Sequence, residues 1–245
     1  MRLTVLGADG AYPTAGGACS GFLVEHDGFR LLLDVGYATV PRLPVDPRAI
    51  DAVLITHGHP DHCADLNPLL RARVLRDDPA PPVPVHALPG ALDAVLALDR
   101  PGMLAHAYDL RAIGPGDRVD IGPFTVDSWE LPHFVRNLGF RLAAGGATLA
   151  YTGDTGPSPA VVALARDADL FLAEATYVTE VPADSAGSMS SALMAGRYAA
   201  EAAVGALILT HLQPGTDASA AWEAAARSYS GDVRLAVGGS VTTIR

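Results

Sequence analysis

Cysteine is almost missing from this chain of 245 residues, with Cys19 and Cys63 the only two. Two thiols so placed cannot build the disulfide framework of a small secreted domain, nor the thiolate cage of a closed structural zinc site. They read as buried thiols in a reducing compartment. Cationic side chains are also in the minority, 17 against 27 carboxylates, for a net charge of −10. That balance weighs against a nucleic-acid partner, which draws on clustered Lys and Arg to replace condensed counterions. A basic leader and an apolar signal core are lacking ahead of Leu3-Thr4-Val5-Leu6, and no apolar window is long enough to span a bilayer. The expectation is a cytoplasmic protein. Nothing resembles a linker, so residues 1–245 read as one domain.

What the chain has in quantity is aliphatic surface. Hydrophobic residues make up 49% and charged ones 18%, and Val-rich and Ala-rich runs alternate as strands interleaved with helices do. Strands are expected at 3–6, 21–25 and 30–34, the last two joined by an Asp27-Gly28 hairpin turn, with a Gly-rich loop over 7–17. Helices are expected over 64–76 and, past a Pro-rich break, over 90–98, followed by strands at 118–121 and 125–131. The second half repeats the alternation. It has strands at 139–143, 147–151, 170–173 and 206–210, helices at 159–165, 190–203 and 218–228, and a long loop at 177–189. Two such halves suggest two sheets packed face to face with helices outside, although no internal repeat is strong enough to prove a duplication.

The chemistry is concentrated in His57-Gly58-His59-Pro60-Asp61-His62. This turn follows the apolar run at 51–56, which reads as a buried strand, so its polar side chains leave a rigid strand end. Imidazole and carboxylate donors suit zinc, iron or manganese, and the lack of thiolates points to an open, catalytic site. Further polar residues recur at later strand exits. His133 follows the strand through Leu131, Asp154 follows Leu149-Ala150-Tyr151-Thr152-Gly153, and His211 follows Leu207-Ile208-Leu209-Thr210. Five of the eight histidines and two aspartates thus fit one scheme, sufficient for two metal ions with one aspartate shared and positions open for water. A polar surface turn with scattered histidines is the competing account, and the recurrence at strand exits counts against it.

With these residues in view, the chain resembles the metallo-β-lactamase-fold hydrolases, nearer the tRNase Z and cyclic-nucleotide phosphodiesterase branch than the lactamases. Leu31-Leu32-Leu33-Asp34-Val35-Gly36, Tyr151-Thr152-Gly153-Asp154-Thr155 and Ala173-Glu174-Ala175-Thr176-Tyr177 resemble blocks of that branch. The resemblance implies an α/β fold, a four-layer αββα sandwich. It implies that His57, His59 and His133 hold one divalent ion, that Asp61, His62 and His211 hold the other, and that Asp154 bridges them, the ions being zinc by preference, with manganese or iron as alternatives. Two ions a few ångströms apart lower the pKa of a bridging water and clamp the charge that develops on the attacked centre. The expected nucleophile is therefore a metal-bridging hydroxide, with Asp61 and Glu174 as catalytic groups.

Two features depart from the family pattern. In the phosphodiesterase branch a histidine stands 22 positions before the last ligand and is thought to protonate the leaving group; here that position is Met189. A thioether cannot donate a proton, and losing a general acid costs on the order of 100- to 10,000-fold when the leaving group is poor. Glu174, which supports that histidine in relatives, is retained, with capping or salt-bridging at a strand end as the plainer alternative. The second departure is length. His133 and Asp154 are 21 residues apart, in the interval where bacterial tRNase Z carries its tRNA-gripping arm, and this chain has no room for one. The loop at 177–189 is long enough for a lid, with Tyr177, Met189 and Phe134 as an apolar pocket wall or simply as core.

Around this set, Asp34 is expected to support a ligand histidine, Arg141 to form a structural ion pair, and Ser190 to cap a helix. His26, His86 and His106 are expected on the surface or satisfied in the core. The leading reading is a dinuclear metal hydrolase acting on a small phosphodiester. Lactone, thioester or other acyl hydrolysis is the enzyme alternative, and a metal-binding, non-hydrolytic protein of the same fold is the third. The expected partner is a small-molecule substrate rather than nucleic acid or membrane, with a homodimer left open.

Overall fold

A computed structural model describes residues 1–245. Strands β1 (Arg2–Gly7), β2 (Gly21–His26), β3 (Phe29–Val35), β4 (Ala52–Leu54), β5 (Val83–Ala87) and β6 (Tyr108–Ala112) form one sheet. A second contains β7 (Arg118–Ile121), β8 (Phe124–Leu131), β9 (Asn137–Ala144), β10 (Ala147–Tyr151), β11 (Leu170–Glu174), β12 (Ala206–Thr210) and β13 (Asp232–Leu235), while β14 (Val241–Thr243) returns to the first. The orders are β14-β1-β2-β3-β4-β5-β6 and β13-β12-β11-β10-β9-β8-β7. Each sheet passes from antiparallel hairpins to parallel strands, at β3–β4 in one and β10–β11 in the other. The halves therefore share an architecture that their sequences do not repeat.

Tight turns set the hairpins. Asp27 and Gly28 both take positive φ, 47° and 82°, between paired His26 and Phe29, as a two-residue turn matched to strand twist requires. The parallel strands are covered on both faces, which explains their unbroken apolar runs. Leu31 and Leu33 face the core between the sheets while Leu32 faces outward; Leu170 and Leu172 face inward and Phe171 and Ala173 outward. Helices α1 (Pro60–Cys63), α2 (Leu66–Val74) and α3 (Asp93–Leu96) cover the first sheet. Helices α4 (Pro159–Ala165), α5 (Ala192–Glu201) and α6 (Ala218–Ala226) cover the second. The result is a four-layer αββα sandwich, and no helix is long and apolar enough to cross a membrane.

Several sequence-based boundaries move. The expected helix at 64–76 is two, since Pro60 opens a separate first turn and α2 begins only at Leu66. The helix expected over 90–98 shrinks to four residues after Gly90, whose φ is +82°. Four strands were not expected: β5 is buried but lies in the Pro-rich stretch with Pro84 inside it, and β6, β13 and β14 are short, largely exposed sheet edges that lack an apolar face. The cap of α5 is Ser191, whose hydroxyl accepts from Met194 N, whereas Ser190 N donates to Glu174. Arg141 forms no ion pair; its guanidinium donates to the carbonyls of Leu164 and Arg166, closing the C-terminal end of α4.

Candidate metal centre

Four strand exits meet at one end of the sandwich. Beyond β4, the backbone N–H and hydroxyl of Thr56 donate to Asp34 at 2.8 and 2.9–3.1 Å, fixing where the histidine turn leaves the sheet. His59 takes the N-cap position of α1 with extended backbone, and Pro60 follows at the first helical position. Its ring is thereby free of the helix, while Asp61 and His62 rise from the first turn. His133, Asp154 and His211 follow β8, β10 and β12. At Gly153 the backbone has φ +58°, and a Cβ there would stand 2.6 Å from Asn137 Oδ1. Conformation and close packing both require glycine immediately before Asp154.

Seven side chains form two overlapping groups: His57, His59, His133 and Asp154 in one, Asp61, His62, Asp154 and His211 in the other. Within the first, His57 Nε2 and His133 Nε2 lie 3.1 and 3.0 Å from His59 Nδ1. Asp154 Oδ2 is 4.0 Å from His57 Nε2 and 3.7 Å from His133 Nε2. Within the second, Asp154 presents its other oxygen, Oδ1, 3.1 Å from His62 Nε2 and 3.3 Å from His211 Nε2, while Asp61 Oδ2 is 3.1 Å from His211 Nε2. One carboxylate thus offers one oxygen to each group.

Outer partners fix the imidazole tautomers. The Ser188 carbonyl, 2.8 Å from His133 Nδ1, can only accept, so that nitrogen carries the proton. Asp34 likewise accepts from His62 Nδ1 at 2.8 Å. Thr56 donates its hydroxyl proton to Asp34 and therefore accepts from His57 Nδ1 at 3.0 Å. Thr176 donates to Glu174 Oε1 at 2.7 Å and accepts from His211 Nδ1 at 2.9 Å. Four Nε2 lone pairs are thereby aimed inward, as orienting partners of metal-bound histidines do. Buried lone pairs facing one another repel unless a cation lies between them. His62 Nε2 and Asp154 Oδ1, despite their 3.1 Å separation, make no aligned hydrogen bond and are left without a partner. Nitrogen and oxygen donors lacking thiolate, in two open sets of four, fit two divalent ions of the zinc, manganese or iron type.

The electrostatics agree. Burial holds His57, His59 and His133 below the ordinary histidine value, leaving neutral donors. Burial also pulls on His62 and His211, but Asp154, joined by Asp34 at the former and Asp61 at the latter, raises both. Asp61 and Asp154 are opposed by burial as well, yet the imidazoles of His211 and His62 hold both below the usual carboxylate range. The second group therefore has a field that attracts positive charge.

Of the remaining expected site residues, Asp34 lies where expected and gains a partner from the other sheet: Tyr151 Oη donates to Asp34 Oδ2 at 2.8 Å. Glu174 is buried and accepts from Thr155 N, Ser190 N at 3.0 Å and the Thr176 hydroxyl. Burial and the charge of Asp154 push its carboxyl up to about 7, with His211 and the two N–H donors pulling the other way. It ties the Asp154 and Met189 loops to His211, which is the work of a positioning residue. Phe134 is 58% exposed and lies edge-on to the His133 ring at 5.2 Å, in a crevice of about 490 Å³ shared with His133. Met189 is buried beside Ser188, whose carbonyl holds His133. Tyr177 is half-buried and bonded through its backbone to Ser190 and Ala192. His86 is buried with Nε2 unpaired, His106 is exposed, and His26 packs on Phe124. Cys63 sits on α1 with its thiol toward the Gly58 carbonyl at 3.6 Å. The Ser188 carbonyl and Tyr151 were not singled out from sequence. A main-chain oxygen carries no sequence signal, and Tyr151 meets Asp34 across 117 residues.

An αββα sandwich with two histidine–aspartate groups at its strand exits defines a class, and the comparisons give the family. The model of the β-lactamase superfamily domain matches residues 18–212, and the chain belongs to that family. It is 32% identical over 217 residues to the probable metallo-hydrolase YhfI of Bacillus subtilis, covering 86% of this chain and 87% of that protein. The crystal structure of YhfI superposes with a TM-score of 0.90 at 30% identity, over 99% of each chain. A Ribonuclease Z of Kineococcus radiotolerans is 31% identical, covering 86% of this chain and 82% of its own. A diphosphatase of the PhnP family, 19% identical, shares the fold with a TM-score of 0.77 over 100% of this chain and 98% of its own.

Proposed function

We propose that the protein is a dinuclear metal-dependent hydrolase of small phosphodiesters. The observation that carries the reading is the division of the Asp154 carboxylate between two groups of inward-facing donors, Oδ2 to one and Oδ1 to the other. In it, His57, His59 and His133 hold one ion, Asp61, His62 and His211 the other, and Asp154 spans both. Two divalent ions held there, zinc by preference, would supply Lewis acidity, making a water nucleophile available near neutral pH and offsetting charge on a phosphoryl group. The chain's own residues do the rest. Asp34 and Thr56 keep His62 and His57 in the donor tautomer, Ser188 does so for His133, and Thr176 with Glu174 does so for His211. Asp61, whose Oδ2 also accepts from Ala11 N at 3.0 Å, is held ionised within the second group.

A phosphodiester substrate is supported by similarity to proteins named as a ribonuclease and a diphosphatase. A small one is supported by the connection between His133 and Asp154, where β9 and β10 are joined only by Gly145 and Gly146, and by the net charge of −10. Acyl hydrolysis is favoured by one observation, the thioether of Met189 where the branch carries an acid.

Metal analysis together with chelator-sensitive hydrolysis of bis(4-nitrophenyl) phosphate and of 4-nitrophenyl acetate tests the reading. About two ions per chain are expected, with turnover of the phosphodiester abolished by chelation and restored by zinc. Asp154→Asn should reduce both ion content and turnover. Full activity in metal-free protein would sink the proposal, and turnover of the acetate alone would transfer it to acyl esters.

A further inference from the structure

We infer that the protein binds an uncharged aryl or alkyl arm of its substrate in an apolar crevice between α1 and α3, beside the metal turn. This deepens the reading above and rests on it for the position of the scissile bond. The crevice measures about 300 Å³ and has no charged side chain in its lining. One wall is the Pro60, Cys63 and Ala64 face of α1, spaced i, i+3, i+4. The same short helix turns Asp61 and His62 toward the metal groups, so its two faces divide the work. The opposite wall is formed by α3 and the segment just beyond it, through Val95 and Leu98.

The crevice adjoins the candidate centre through the backbone of the histidine turn. Gly58 lines it and also lines the neighbouring crevice of about 280 Å³ that contains His59. Tyr37, on the rim, follows Gly36, which packs so closely on the Asp61 carbonyl that a Cβ would overlap it. Leu98 is 68% exposed and Tyr37 37% exposed, apolar surface left open to water at the edge of a polar site. The occupant follows from size and chemistry. A protein partner needs roughly 800 Å² per side, far more than this cleft offers, and a phosphate or carboxylate finds no cation in it. A volume near 300 Å³ is at the lower end of small-ligand pockets, which are mostly apolar, and suits a phenyl ring or a short alkyl chain continuous with a phosphoryl group at the metal turn.

The test measures calorimetric binding of n-alkylphosphonates, from methyl to hexyl, to the zinc-loaded protein, with methyl NMR signals of Ala94, Val95 and Leu98 as a direct reporter of occupancy. Each added methylene should tighten Kd up to about fourfold, the ~0.8 kcal/mol of burying one CH₂, until the crevice is full. Ala94 lines the crevice from an exposed position, so Ala94→Phe fills it without touching the core. That variant should flatten the series while leaving methylphosphonate affinity and hydrolysis of small diesters unchanged. A flat series in the wild type, the same slope in the variant, or hexylphosphonate that leaves the methyl signals of all three residues unmoved would overturn the inference. Loss of chelator-sensitive turnover with the slope intact would instead overturn the hydrolase reading.

Discussion

Without bound metal, this protein should hold its five clustered histidines in different charge states at pH 7. His57, His59 and His133 are held low by burial and should be neutral; His62 is raised well above the ordinary histidine value by Asp154 and Asp34 and should carry charge, and His211 is raised by Asp154 and Asp61. The linkage has a definite sign. Raised imidazoles contribute stability that is fully present below about pH 6.5 and is lost as pH rises through their higher folded values. Depressed carboxylates, Asp61 and Asp154, contribute stability present above about pH 4 and lost as pH falls through their lower folded values. The three lowered imidazoles work the other way, costing stability as pH falls below about 6.5, where only the unfolded chain takes up their protons; as far as this cluster decides, the metal-free protein should therefore be most stable near pH 6.5, losing roughly 1.4 kcal/mol per unit of imidazole shift on going alkaline. Zinc reverses the trend, because it must displace the protons on His62 and His211, so the stabilisation it gives should grow from pH 6 to 8. Imidazole nitrogen NMR of the metal-free protein, with thermal unfolding at pH 5.5, 7 and 8.5 with and without zinc, measures both effects. A neutral His62 at pH 7, a charged His57, or a zinc-induced Tm increase that shrinks with rising pH would refute the assignment.

Other consequences follow from single contacts. Tyr151→Phe deletes the phenol that donates to buried Asp34. A hydrogen bond to a charged group is worth about 1.5–3 kcal/mol, and loss of such outer support lowers metal affinity about 10- to 100-fold; competition with a zinc-binding dye and thermal unfolding would show both. Met189→His should raise kcat on diesters with poor leaving groups by up to the 100- to 10,000-fold worth of a general acid, with little change on 4-nitrophenyl esters. An unchanged rate on both would place the proton donor elsewhere. Glu174→Gln leaves the shape but sets an NH₂ against one of the donors Thr155 N, Ser190 N or Thr176 Oγ1. It should cost about 1–3 kcal/mol of stability and weaken zinc binding through His211, whereas a change in the pH–rate profile alone would indicate direct proton transfer.

The parts of this molecule that were legible in its sequence are those where one residue announces its own position. A histidine or aspartate at the end of an apolar strand has no reason to be there for packing, so the seven donors and the strands before them could be read one at a time, as could Asp27-Gly28, whose turn needs positive φ at both positions. What escaped depends on pairs. The Ser188 carbonyl matters only because His133 arrives beside it, 55 residues away in sequence, and Tyr151 only because the inter-sheet core brings it to Asp34. Met189 illustrates the difference. From sequence it is a missing acid; in the structure the residue before it orients a candidate ligand, so the segment remains coupled to the centre after the acid is gone. On the reading proposed above, the apolar crevice on the other side of the histidine turn would be the feature that sets this chain's substrate apart from an unactivated nucleotide. An ester with an apolar arm and a leaving group stable without protonation satisfies both observations, and neither one alone would have required it.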